Sequence, residues 1–93
     1  MTLLEESRIK IDQIDEQITK LFEERMHAVE GVIEYKIQNN MPIFDASRES
    51  TIIQKNVNRL NDAKLESYFV DFYQHMMDVS KNYQKDILEN KEK

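Results

Sequence analysis

The sequence places positive charges where an amphipathic helix would be apolar. If residues Leu3 to about Asn39 form a helix, a wheel at about 100° per residue puts Arg25 and Lys36 inside its apolar stripe. Eleven residues separate the two, so both side chains point the same way, roughly 16 Å apart along the axis. A charge facing a protein interior needs a partner of opposite sign. This spacing therefore predicts a pocket for an anion.

Polar residues also interrupt the apolar faces of the two helices predicted downstream. Glu49 lies at the centre of the apolar face of the second helix, and Arg48 lies at its edge. Ser80 lies on the apolar stripe of the third helix, with Gln84 one turn later at its margin. One carboxylate cannot neutralise two guanidiniums and an ammonium, so an excess of positive charge would face inward. An anionic ligand would balance this charge.

Each of these positions also has an ordinary structural explanation. Long basic side chains often extend past apolar neighbours to water, and a helical serine commonly bonds the carbonyl of the preceding turn. The combination is what favours a site. The chain has four arginines, and three of them, Arg8, Arg25 and Arg48, lie on or beside apolar faces.

The elements that must position these residues follow from the composition and from the few helix breakers. Only one Gly and one Pro occur in 93 residues, which argues against an all-β fold. A chain that is 40% hydrophobic and 33% charged is typical of a soluble helical protein. We predict an all-α fold in one domain, residues 1–93.

Three helices are predicted. The first runs from Leu3 to about Asn39 and ends before Pro42, whose ring clashes with a continuing turn. The second begins after an N-cap at Asp45 and runs through Leu60. The third follows a break at Asn61 and Asp62, runs to about Leu88, and leaves a polar tail, Glu89 to Lys93, that frays.

Several classes of function are disfavoured by the same composition. A net charge of −5 argues against a nucleic-acid module. The chain has no Cys, and its two histidines, His27 and His75, lie on different helices without a metal-like cluster, so no metal or cofactor is predicted. No apolar run approaches the roughly 20 residues that span a bilayer, and no signal-peptide pattern begins the chain. We therefore expect a cytoplasmic protein.

The first helix is too long for a compact monomer. About 36 helical residues make a rod of roughly 54 Å, whereas a compact chain of this length has a diameter near 32 Å, from a radius of gyration of about 12 Å. Its apolar stripe would protrude into solvent. The length therefore predicts an intertwined homodimer in which a second chain covers the stripe.

In order and spacing, these residues resemble the all-helical (AroQ-type) chorismate mutases. The resemblance covers the chain from about Leu4 to Leu88. It implies a domain-swapped homodimer with two equivalent active sites, acting in phenylalanine and tyrosine biosynthesis. The implied reaction is the Claisen rearrangement of the dianion chorismate to prephenate, which requires no metal or cofactor. The residues that carry the resemblance are Arg8, Arg25, Lys36, the segment Asp45-Ala-Ser-Arg48-Glu49, Ser80 and Gln84.

The resemblance also implies a role for each residue. Arg8 of the partner chain, Arg25 and Arg48 would clamp the two carboxylates of the substrate, and Ser80 would add a hydroxyl donor. Lys36 and Gln84 would face the ether oxygen. Glu49 and the backbone at Asp45 would bind the ring hydroxyl.

Geometry requires that Arg8 act on another chain. It lies about 42 Å from Lys36 along one helix, far more than the length of the ligand. In an antiparallel dimer, it can reach the site of the partner.

Two alternatives remain open at this point. The nearer one is isochorismate-pyruvate lyase, which shares the fold; the segment from Asp45 to Glu49 favours the mutase. The other is a non-catalytic helical dimer or regulatory partner, against which the inward-facing Arg25, Lys36 and Arg48 argue.

Overall fold

The protein, as a computed structural model, is described over residues 1–92. It consists of three α-helices, which we name α1 (Leu3–Gln38), α2 (Ala46–Val57) and α3 (Glu66–Glu92), with a 3-10 turn at Ala63–Leu65 before α3. No strand occurs in the described range. The predicted all-α class, with one very long helix, is confirmed.

Local capping chemistry fixes where the helices begin and end. The side chain of Thr2 accepts the backbone N–H of Glu5 at the start of α1. Asp45 accepts the N–H of Arg48 at 3.0 Å, which confirms the predicted N-cap of α2. Between them, Asn40 takes a left-handed conformation (φ 52°), a conformation that asparagine tolerates better than most residues. This turn directs the chain from α1 back towards α3.

Two predicted boundaries are wrong. Helix α2 ends at Val57 and not at Leu60, because the backbone tightens into i to i−3 bonds, from Arg59 to Asn56 and from Leu60 to Val57. Helix α3 continues past Leu88 to Glu92, where a frayed tail was expected. Polar residues can extend a helix without packing, because Glu and Lys favour helical backbone and a late cation suits the helix dipole. Lys93 lies outside the described residues.

The N-terminal half of α1 extends away from the rest of the chain, as its length predicts. The molecule measures 55 × 26 × 15 Å, and its radius of gyration is 16.8 Å, against about 12 Å for a compact chain of this length. Every residue from Leu3 to Glu24 is exposed. The exposed set includes Ile11, Ile14 and Ile18 of the apolar stripe.

The buried core of a single chain is very small. It consists of Val29 and Ile33 of α1 and Met77 of α3, with two polar side chains, Ser80 and Gln84, buried beside them. The accessible surface is 7581 Å², whereas a folded monomer of this mass exposes about 5,700 Å². The difference, about 1,900 Å², is the scale of surface that one chain buries in a large obligate dimer.

Helix α3 uses three separate faces. The face that is buried against α1 carries Met77, Ser80 and Gln84, while the predicted apolar stripe, which includes Phe72, lies about 80° away around the helix. Phe72 remains 58% exposed. A third face carries Lys81 and contacts α2. Over the described residues, none of the helices has the length and apolar character needed to cross a membrane.

Candidate active site

One cavity collects seven of the eight residues singled out from the sequence. It lies where the C-terminal half of α1, the start of α2 and the middle of α3 meet, and its volume is about 170 Å³. Its walls are completed by apolar side chains and by Lys81. The predicted residues that line it are Arg25, Lys36, Asp45, Arg48, Glu49, Ser80 and Gln84.

Arg25 reaches across from α1 to α3. Its Nη1 donates to Oγ of Ser80 at 2.7 Å, and the Ser80 hydroxyl donates in turn to the carbonyl of Met76 at 3.0 Å. The Ser80 oxygen therefore accepts a hydrogen bond from the guanidinium, while the Ser80 proton is donated to the carbonyl of Met76. This arrangement differs from the implied role of a hydroxyl donor to ligand, which would require the Ser80 proton to leave Met76.

Lys36 holds the loop between α1 and α2. Its Nζ donates to the backbone carbonyl of Ile43 at 2.8 Å. An ammonium has three donors, so this bond leaves two for a ligand in the cavity. The loop contact also fixes the direction in which the Lys36 side chain points.

Gln84 carries a buried polar atom without a partner. The residue is 7% exposed, and its Oε1 accepts no hydrogen bond from the described residues. Buried polar atoms are rarely left unsatisfied, because each one costs free energy of desolvation. An amide can present either oxygen or NH₂ by turning about its last bond, so Gln84 is available to a ligand that supplies a donor or an acceptor.

The start of α2 contributes Asp45, Arg48 and Glu49. The carboxylate of Asp45 is occupied in capping the helix. Arg48 lines the cavity but is exposed as a whole residue. Its position at the edge of the α2 face therefore agrees with the expectation, although it is not buried in the single chain.

Glu49 does not neutralise the other cations of the cavity. Its carboxylate, whose side chain is 16% exposed, pairs with Lys81, with Oε2 and Nζ 3.1 Å apart. Within residues 1–92, neither Arg25, Lys36 nor Arg48 forms an ion pair with a carboxylate. The cavity therefore keeps the excess of positive charge that the sequence predicts.

Sequence reasoning missed Lys81. It lies on the far side of α3 from the apolar stripe, so the helix wheel alone gave no reason to select it. The hydrogen bond to Glu49 raises the pKa of Lys81 above its ordinary value, and Asp78 adds to the shift. Glu49 is the one sequence feature that could have pointed to Lys81. A carboxylate on an apolar face needs a cation, and α3, which packs on α2, supplies it.

Arg8 is the predicted residue that the chain does not bring to the cavity. It is exposed near the start of α1, in the half of the helix that extends beyond α2 and α3. Helix geometry leaves about 42 Å between Arg8 and Lys36.

A second, apolar depression lies beside Arg25. This groove of about 610 Å³ is open to solvent and runs between α1 and α3. The side chains that line it include Ile18, Leu21, Phe22, Phe72 and Val79, all of them exposed in the single chain. The groove continues the apolar stripe of the N-terminal half of α1 up to the cavity.

Comparison with known proteins gives consistent results. The family model described as chorismate mutase type II matches residues 7–85. The chain is 35% identical over 87 residues to a protein named chorismate mutase from Methanocaldococcus jannaschii, and the match covers 92% of this chain and 88% of that protein.

Longer relatives match as well. The chain is 34% identical over 82 residues to a bifunctional chorismate mutase/prephenate dehydratase from Buchnera aphidicola subsp. Acyrthosiphon pisum, covering 87% of this chain. A protein of the same name from the Schizaphis graminum subspecies is 32% identical over 83 residues. The chain spans about a fifth of the length of these two relatives. No solved structure matches the chain significantly.

Proposed function

Because the chain belongs to the chorismate mutase type II family, we propose that it is a chorismate mutase, an isomerase that converts chorismate to prephenate in phenylalanine and tyrosine biosynthesis. One carbon–oxygen bond breaks and one carbon–carbon bond forms in a single ring-shaped transition state. The protein must therefore fold the substrate and stabilise the charge that develops on the ether oxygen.

The observation that carries this proposal is the charge of the cavity. Glu49 is paired with Lys81 and the Asp45 carboxylate caps α2, which leaves Arg25, Lys36 and Arg48 without ion-pair partners in the described chain. A doubly negative substrate supplies the missing charge. Arginine suits this task, because its planar guanidinium can bind a carboxylate through two parallel hydrogen bonds.

The clamp lowers the barrier by restricting the substrate. Arg25 and Arg48 bind the two carboxylates, which holds the flexible side chain of chorismate over its ring. Bringing the reacting ends into contact geometry removes rotational freedom before the reaction. The bond to Ser80 contributes indirectly, since it holds Arg25 in place.

Lys36 and Gln84 act on the ether oxygen. As the carbon–oxygen bond breaks, this oxygen gains negative charge, and fixed donors that face it stabilise the transition state more than the ground state. Lys36 supplies a cation and Gln84 a neutral amide donor. The Gln84 side chain is buried at the cavity and its oxygen has no partner among the described residues, so the amide is free to turn its NH₂ towards the ether oxygen, which supports this role.

The ring hydroxyl is bound by residues at the start of α2. Glu49 accepts a hydrogen bond from this hydroxyl, and the backbone at Asp45 also contacts it. Both residues line the same cavity, which supports a common task.

The site is completed by a second chain in a domain-swapped homodimer. The cavity of one chain, about 170 Å³, is smaller than the roughly 300–1,000 Å³ of ordinary ligand pockets and lacks one wall. An antiparallel copy of α1 laid in the apolar groove covers the exposed stripe and brings Arg8 to the open side. The surplus exposed surface and the continuity of groove and stripe support this arrangement.

The direct test follows chorismate absorbance together with prephenate formation. We expect chorismate to disappear and prephenate to accumulate in equal amounts. Release of pyruvate and salicylate from isochorismate, without conversion of chorismate, would instead identify a lyase. If chorismate neither reacts nor raises the melting temperature at high concentration, the protein is not an enzyme acting on chorismate.

Subunit mixing tests the shared site. Arg8→Ala and Lys36→Ala each lose nearly all activity in this proposal, and exchange of subunits creates mixed dimers with one intact site and one doubly damaged site. Random pairing restores about a quarter of the sites. Mass spectrometry establishes that subunits have exchanged. If the mixture then shows no more activity than the separate variants, the swapped dimer is contradicted. Activity of the wild-type protein would still support the mutase in that case.

A further inference from the structure

A compact ion cluster joins α2 to α3 at the wall of the cavity. Nζ of Lys81 lies 3.1 Å from Oε2 of Glu49 and 3.3 Å from Oδ1 of Asp78. Nε2 of Gln74 donates to Oε1 of Glu49 at 3.3 Å and to Oδ1 of Asp78 at 3.1 Å. The ammonium also lies over the ring of Phe44, 4.7 Å from its centroid. Lys81 is thus held by two carboxylates and an aromatic face.

The cluster fixes both oxygens of Glu49. Gln74 and Lys81 contact Oε1, and Lys81 contacts Oε2 more closely. A carboxylate has about four lone-pair positions, so acceptor capacity remains for a ligand. The Glu49 side chain is held in one orientation while that capacity stays available to the cavity.

We propose that Lys81 is a positioning residue, which holds the Glu49 carboxylate against the cavity wall and keeps it from pairing with the cations that bind the substrate. The inference rests on the proposed function. Lys81 does not itself clamp the substrate; it acts through Glu49.

The reason is competition for cations inside one small space. Glu49 shares the cavity with Arg25, Lys36 and Arg48, and oppositely charged side chains attract strongly in a poorly solvated site. Without Lys81, the carboxylate would turn towards one of these cations. A substrate carboxylate would then have to displace it, and the affinity for chorismate would fall.

A purely structural role for Lys81 predicts a different result. If the cluster only fastened α2 to α3, its loss would lower the stability of the protein and leave the Michaelis constant of the remaining folded enzyme unchanged. Substrate affinity therefore separates the two roles.

The test compares substitutions at two lysines of the same helix. Lys81→Met keeps the length of the side chain and removes its charge, Lys81→Arg keeps the charge, and Lys85→Met is the control at an exposed position one turn later. For Lys81→Met, we expect KM for chorismate to rise about tenfold or more while kcat changes less than about threefold, which indicates loss of binding and not of transition-state stabilisation alone. Lys81→Arg and Lys85→Met should stay within about threefold of wild type in both constants.

Removing the charge of Glu49 in the Lys81→Met background provides the decisive measurement. In the double variant Lys81→Met/Glu49→Gln, position 49 no longer carries a charge that can pair with Arg25, Lys36 or Arg48, so KM should fall back by about threefold or more relative to Lys81→Met. A partial recovery of KM of this kind shows that the effects of the two substitutions are not additive, as expected for side chains in contact. Circular dichroism establishes that each variant is folded, and Lys81→Gln replaces Lys81→Met if the latter does not fold.

The outcomes are distinct. A wild-type KM in folded Lys81→Met, or a double variant whose KM is no lower than that of Lys81→Met, would overturn the role of Lys81 and leave the mutase intact. If the wild-type protein itself does not convert chorismate, the proposed function fails, and this inference fails with it.

Discussion

The two halves of α1 have the same amphipathic pattern and opposite surroundings. In the C-terminal half, Val29 and Ile33 are buried against α3, and Arg25 and Lys36 line the cavity. In the N-terminal half, the stripe that includes Ile14 and Ile18 is exposed along its whole length. One continuous helix therefore contains a region that is packed within the chain and a region that is not.

The difference shows that the pattern of apolar residues specifies a face but not its partner. Helix α3 packs beside the C-terminal half of α1 and α2 packs on α3, so the N-terminal half of α1 is left without a partner in the described chain. This N-terminal half carries equivalent apolar surface, and we assign its cover to a second copy. The following predictions test this contrast in order of expected effect.

The largest effect is expected at the end of α1 that lines the cavity. In the proposed mechanism Lys36 faces the oxygen on which charge develops, so Lys36→Ala should lower kcat/KM about 10³-fold or more. Lys20→Ala is the control, on the exposed face of the other half. Steady-state rates of chorismate loss measure both, and equal rates for the two variants would remove Lys36 from the site.

The next effect concerns stability. Ile33 is 1% exposed, so Ile33→Ala should lower the free energy of unfolding by about 2–5 kcal/mol. Ile9→Ala is the control, because Ile9 is exposed on the solvated face of the N-terminal half and should change stability by less than about 0.5 kcal/mol. Urea unfolding followed by circular dichroism measures both. Equal losses would mean that the two halves are packed alike.

Arg8 tests whether the exposed half has a function. Arg8→Ala should lower kcat/KM about 100-fold, which corresponds to about 2.7 kcal/mol of transition-state stabilisation, without loss of helix content. Lys10→Ala serves as the control, two residues away and also exposed. An active Arg8→Ala enzyme would show that the N-terminal half of α1 has no part in the site of a partner.

The smallest effect is a gain in stability. Gly31 lies opposite the apolar stripe, and a Cβ added there meets nothing within 4 Å. Gly31→Ala should therefore raise the free energy of unfolding by about 0.5–1 kcal/mol, since alanine loses less backbone entropy in a helix. Thermal unfolding measures the change. A decrease would reveal that a second chain packs closely against this position.

The sequence predicted the helices better than their ends. The three helices and the cap at Asp45 followed from breakers and local hydrogen-bonding chemistry, which act over a few residues. The end of α2 was wrong, because the tightening of the backbone at Arg59 and Leu60 carries no distinctive residue signal. The predicted fraying of the α3 tail is wrong, because polar residues that do not pack can still continue a helix.

The residues that line the cavity could largely be predicted from the sequence. Polar residues on apolar faces are expensive unless they meet one another or a ligand, so their positions on three helices indicated a shared site. Lys81 escaped this reasoning, since a lysine on a polar face is ordinary. Its place in the cavity wall and its contact with Glu49 are set by the packing of α2 on α3.

By itself, the amino-acid sequence determined which segments are helical and which side chains must be brought inward, because helix propensity, capping and periodicity are local properties. The tertiary structure decided which carboxylate is neutralised by Lys81, which turn holds Lys36, and which half of α1 is left exposed. These outcomes depend on how α3 packs on α1 and α2 on α3, and contacts between residues distant in the chain are set by packing and not by local pattern.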